Sequence, residues 1–197
     1  MNSYSSSATK KPKRLINVAK WHPNSRKIAN AIVIFFSVIL CLLILPTRLP
    51  GMELLGMGPN WLLIWVVAWS VKRSAWSGAL AGITLGLIQD GMTSSYPSHA
   101  IGLAVIGILT ALLKKQRYME EDFISVALIV FGMALISESV LALQFISMGL
   151  RPMAEVWTDH QKIALTSAIL SSLWAPVLYY PLNRWWANLN LLETAKN

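Results

Sequence analysis

The chain has 197 residues, of which 55% are apolar and only 13% charged, and its mean hydropathy is +0.52. A soluble domain carries roughly a quarter of its residues as charges; here the charges are missing from long apolar blocks, which excludes a disordered chain, a collagen-like repeat and an ordinary cytosolic enzyme. The net charge of +8 does not signal nucleic acid, because seven of the seventeen basic residues precede the first apolar run, where anionic lipid headgroups are the nearer partner.

Those seven are Lys10, Lys11, Lys13, Arg14, Lys20, Arg26 and Lys27, and they define residues 1–27 as a basic, flexible cytoplasmic leader with a lipid-facing role. The run Ile28 to Leu45 follows. Its 18 residues make about 27 Å of helix, too long for a signal-peptide core and without a small-x-small cleavage site behind it, so it stays in the membrane as span one. Pro46 and Pro50, with Gly51, Gly56 and Gly58, break the helix and keep the connection irregular. Span two is expected over about 57–71, borrowing Leu54 to Met57 and ending at Lys72 and Arg73. Trp61, Trp65 and Trp69 recur every four residues and share one of its faces, as packing or lipid contacts or as the wall of a ligand cavity.

Span three, 76–89, ends at Asp90; a polar loop precedes span four, 99–113, which exits at Lys114, Lys115 and Arg117. Glu120, Glu121 and Asp122 form an acidic cap on span five, 123–148, favourable against the positive end of the helix dipole. Gly149 and Pro152 stop that span, a semi-polar loop runs from Leu150 to Lys162, and span six, 163–182, is interrupted by Pro176. The result is an all-α integral membrane protein: a six-helix transmembrane domain over residues 28–183 and a tail over 184–197. Fourteen Lys and Arg fall in the leader, the tail and the even-numbered connections, against three in the odd-numbered ones. The positive-inside rule therefore places both termini in the cytoplasm.

The most distinctive stretch is Gly78, Gly82, Gly86 and Asp90, each four apart, so one face of span three is bare backbone ending in a carboxylate. Small residues at that spacing admit another helix closely; a substrate pathway is the sharper alternative. Asp90 is suited to tie the third connection through backbone N–H groups, with a ligand or proton-relay role as the alternative. Glu138 lies mid-span among apolar residues, where a carboxyl costs a few kcal/mol and must face protein. It is a functional group or an inter-helix contact, with Gln144 a turn and a half away. Asp90, His99, Asp159 and His160 share one predicted side of the membrane, but their spacing matches no metal motif. No cofactor motif is present, and no nucleophile is paired with a base at membrane depth, so the chain reads as a non-enzyme. Cys41 has no partner for an intrachain disulfide and reads as packing.

The block Gly82 to Asp90, the loop after it, the Gly-containing span from Gly102 and the basic exit Lys114-Lys115-Gln-Arg117 together resemble the third and fourth spans of the rod shape-determining MreD family. Tyr118-Met-Glu-Glu-Asp-Phe-Ile-Ser-Val-Ala is similar to cyanobacterial versions of it. The resemblance covers residues 28–182 loosely and 78–145 usefully; the longer leader and the long 92–101 connection depart from the common pattern. It implies a non-enzymatic plasma-membrane scaffold of the cell-elongation machinery that contacts the bitopic protein MreC and, through it, actin-like MreB and the wall-synthesising glycosyltransferase and transpeptidase. It also implies a fold related to the six-helix substrate-binding subunits of energy-coupling-factor vitamin transporters. On this reading Gly78, Gly82, Gly86, Asp90 and Gly102 form a partner interface or a helix-packing face, homo-oligomerisation is left open, and Gly82→Leu disrupts partner pairing without unfolding the bundle. A small-molecule transporter subunit, with Glu138, Gln144, Asp90 and the span-two tryptophans around a cavity, is the alternative.

Overall fold

The computed structural model describes residues 23–47, 51–54, 56–93, 96–115, 123–149 and 152–194. Lys10, Lys11, Lys13, Arg14, Lys20 and the acidic cap at 120–122 lie outside them. Six helices account for nearly all of the described chain: α1 Pro23–Ile44, α2 Trp61–Ser70, α3 Ala75–Met92, α4 His99–Lys115, α5 Phe123–Ser147 and α6 Met153–Thr194. Among the described residues there is no strand, only an isolated bridge between Leu54 and Met57. Three helices are long and apolar enough to cross a membrane: Asn24–Ile44, Phe123–Ser147 and Trp157–Leu189.

The shortest helix is the core. α2 has ten residues, about 15 Å of helix, half the hydrocarbon thickness of a bilayer. Leu62, Leu63 and Val66 are completely buried, and every other helix touches α2. A helix that is apolar all round is one with no solvent-facing side, and WLLIWVVAWS has no polar residue before its last position. The expected borrowing of Leu54 to Met57 does not occur. Those residues close a turn, with Leu54 and Met57 exchanging backbone bonds of 3.0 Å, and Gly56 takes the left-handed φ of +75° that the turn requires. Helix α2 starts only after Asn60, whose Oδ1 accepts from the Leu63 N–H at 3.0 Å.

The tryptophan stripe is packed inside the bundle. Trp61 meets Trp174 of α6 at 5.8 Å between ring centroids, Trp65 stacks on Trp69 at 5.2 Å, and Trp69 meets the edge of Trp186 at 5.4 Å. Trp65 is 3% and Trp186 5% exposed, so both belong to the core.

Helix α6 also differs from expectation. The 150–162 segment is helical from Met153, and the helix continues through Pro176 and Pro181 to Thr194. Its 42 residues span roughly 63 Å, twice the apolar thickness of a bilayer, so Asp159, His160 and Lys162 belong to an extended helical end. Each proline removes one backbone bond; burial of Ala175, Tyr179 and Leu182 on the intervening face holds the helix to the core.

By contrast, α1 is barely attached. Only 6% of its most apolar window is buried, and its main neighbour is α2. The indole N–H of Trp65 donates to Ser37 Oγ at 2.9 Å, and Cys41 packs into the core. Ser37→Ala leaves a buried indole N–H without its partner. It is expected to lower the detergent-solubilised Tm by about 2–4 °C, the equivalent of roughly 1 kcal/mol; an unchanged Tm would show that α1 is seated by packing alone.

Candidate functional site

Helices α3 and α4 run antiparallel and meet along the glycine stripe. A Cβ at Gly78 would overlap the carbonyl of Gly107, one at Gly82 the carbonyl of Leu103, and one at Gly86 the backbone of Ala100. In return, a Cβ at Gly107 would overlap the carbonyl of Gly78. The neighbour for which the stripe makes room is therefore α4 of the same chain. This corrects the expectation that Gly82→Leu spares the bundle, because the first added carbon already collides with backbone. Gly102 sits on the other flank of α4, where an added Cβ would lie 3.1 Å from Ser137 Oγ of α5.

At the end of that seam Asp90 clamps the start of α4. Its Oδ1 accepts the backbone N–H of His99 at 2.8 Å and faces His99 Nδ1 at 2.7 Å; its Oδ2 accepts from Ser98 Oγ at 2.7 Å. Ser98 Oγ in turn accepts the Ala100 N–H at 3.2 Å. Two backbone donors at a helix N-terminus, which lack partners within the helix, are thus served by Asp90 and Ser98. Contact with a carboxylate places the imidazole proton on Nδ1 and leaves Nε2 as the free ring position.

Ser98 is also gripped from α5. Gln144 Oε1 accepts the Ser98 N–H and Gln144 Nε2 donates to the Ser98 carbonyl, both at 3.0 Å. The sequence reading set Gln144 beside Glu138; the structure assigns it to Ser98, while Glu138 shares a depression with Ser167 of α6. Gln144→Ala removes both bonds and is expected to destabilise the protein by about 1–2 kcal/mol. Combined with Asp90→Ala it should lose less than the separate losses together, since both act on Ser98. Strict additivity in thermal melts would contradict a shared clamp.

Glu138 forms the wall between two depressions. One, of about 100 Å³, is lined by Leu141, Phe145, Asp159, His160 and Ile163 among others. The second, of about 250 Å³, is lined by Asn60, Gln89, His99 and Ser167 together with Leu141 and Ile163. Gln89 is 7% exposed and its Oε1 has no hydrogen-bond partner. The four residues considered for a metal are thus divided: Asp90 with His99, and Asp159 with His160 across Glu138. Among the described residues no group of three His, Cys, Asp or Glu is arranged to hold a metal ion.

Ser98, Gln89 and Ser167 were missed in the sequence, as was Gly107. A signal for Gly107 existed in the small residues Ala100, Ala104, Gly107 and Ala111, which recur at helical spacing opposite the glycines of α3. Of the basic residues assigned to lipid, Arg26 and Lys27 open α1, with Lys27 exposed.

The family model described as rod shape-determining protein MreD matches residues 25–187, from α1 through most of α6. No curated protein and no solved structure matches the chain. A match over that length, on a chain whose glycine and aspartate block is laid out as above, identifies a membrane protein with a role in rod shape determination: the chain belongs to the MreD family.

Proposed function

We propose that this chain is a non-enzymatic, six-span scaffold subunit of the cell-elongation machinery. It contacts MreC directly and, through it, MreB and the peptidoglycan glycosyltransferase and transpeptidase. The family match over residues 25–187 is the observation that carries this reading. Two features of the geometry support it. The backbone contact along α3 and α4, capped by Asp90 and Gln144, makes a stiff frame rather than a hinge. Helix α2, though short, is enclosed by the other helices. The fourteen-to-three distribution of basic residues supports two cytoplasmic ends.

With the glycine stripe occupied by α4, the partners are held by the extracytoplasmic connections and the outer helix faces. Crosslinking the tagged chain in its native membranes and identifying what is recovered by mass spectrometry tests the reading; MreC, MreB or the wall-synthesis enzymes are the expected products. A second reading, a vitamin-like substrate-binding subunit of a transporter with the energy-coupling-factor fold, is favoured by the depressions on either side of Glu138. Recovery of an ATPase pair and a coupling membrane subunit would replace the first reading with the second.

A further inference from the structure

Between α1 and α3 runs an open, almost wholly apolar groove of about 500 Å³, floored by Trp65 and Trp69 and walled by Ile34, Val38, Ala81 and Leu85. Its polar end is defined by three residues. Arg73 stacks its guanidinium on the Trp69 ring at 3.5 Å. A guanidinium held by its face keeps its N–H donors free along its edge, and no carboxylate pairs with Arg73 among the described residues. On α1, Lys27 precedes Ile34 by seven residues and Val38 by eleven, so all three share a face. Asn30, one turn before Ile34, has a buried Oδ1 without a partner. Trp61 lines a depression with Ile44 and Leu45 while Trp65 bonds Ser37, so α2 runs back along α1 and Lys27, Asn30 and Arg73 lie at the same end of the groove.

We propose that this groove is a binding site for one anionic phospholipid, its phosphate between Arg73 and Lys27 and an acyl chain along Trp69, Trp65 and Leu85. The charge at one end and the apolar length beyond it match that amphiphile and no zwitterionic one equally well. The lipid fills the space that separates α1 from α3, and so supplies the side contact that α1, attached mainly to α2, otherwise lacks.

The test uses the full chain purified in detergent, with phosphatidylglycerol or phosphatidylcholine added and retained lipid counted by native mass spectrometry. One phosphatidylglycerol is expected per chain, with phosphatidylcholine held about thirtyfold more weakly, the factor that two basic contacts with anionic lipid are worth together. Arg73→Gln should narrow the preference for phosphatidylglycerol to about fivefold, whereas Lys162→Gln, at the far end of α6, should leave retention unchanged. Ala81→Trp fills the groove without altering charge; folded by thermal melt, it should retain neither lipid. Equal retention of the two lipids by the unaltered chain, or undiminished phosphatidylglycerol on the folded Ala81→Trp variant, overturns the proposal. So does a photocrosslinker at position 81 that captures a polypeptide helix in native membranes in place of lipid.

Discussion

Replacing Gly82 with leucine is expected to abolish the folded protein or to destabilise it by more than about 3 kcal/mol, the upper range for overpacking a core that has no room to yield. The reason is specific to the position. An added carbon meets the Leu103 carbonyl and the Ala104 backbone of α4 rather than the flexible end of a side chain, so relief requires moving a helix. Gly132 in α5 provides the control, because a Cβ there meets nothing within 4 Å. Gly132→Ala should therefore be neutral or stabilising by up to about 1 kcal/mol through helix propensity. Thermal melts of the two variants in one detergent read both signs. A Gly82→Leu protein that melts with the wild type would mean that α4 does not lie on the glycine stripe.

The second large effect is expected at Asp90. Asp90→Ala strands the Ser98 hydroxyl, the His99 backbone N–H and the His99 ring, all of which now converge on one carboxylate that is 8% exposed. Each unsatisfied buried group costs about 1–3 kcal/mol, and local relaxation and water recover part of it. A net loss of roughly 3 kcal/mol follows, read as a Tm lowered by about 6–12 °C for a chain of this size. Asp90→Asn should fall between the two, because an amide oxygen still accepts the His99 N–H while the amide nitrogen repels the donors. Equal melting of all three proteins would show that the third connection is held by Gln144 and packing instead.

Residues that decide local structure were legible in the sequence, and residues that decide pairing were less so. Helix α5 runs Phe123–Ser147, where a long apolar run ends at Gly149, which has a φ of +64°; such a stop is a property of the local chain. The four-residue glycine spacing on α3 likewise announced a close neighbour, but spacing specifies only that something approaches. Choosing α4 over a partner protein needed the matching small residues Ala100, Ala104 and Gly107, which are ordinary in any apolar helix. Helix α6 defeated a hydropathy reading for a different reason: Asp159, His160 and Lys162 mark where the apolar environment ends, and a helix has no cause to end there. The span-two tryptophans left packing and lipid contact both open, because amphipathic rings suit an interface as well as a core, and the burial of α2 that separates the two is a tertiary fact. Asp90 carried its signal in the polar loop after it, whereas Gln144 lies forty-six residues beyond Ser98 and meets it only in the fold.

The direct contact with MreC proposed for this bundle can be measured on its own. Purified chain in nanodiscs, mixed with full-length MreC and sized by light scattering, measures that contact without the rest of the cell. A discrete complex that survives separation, and that is kept in Gly132→Ala, is the expected result. Two non-interacting species across the accessible concentration range, with the chain itself intact, would contradict the claim.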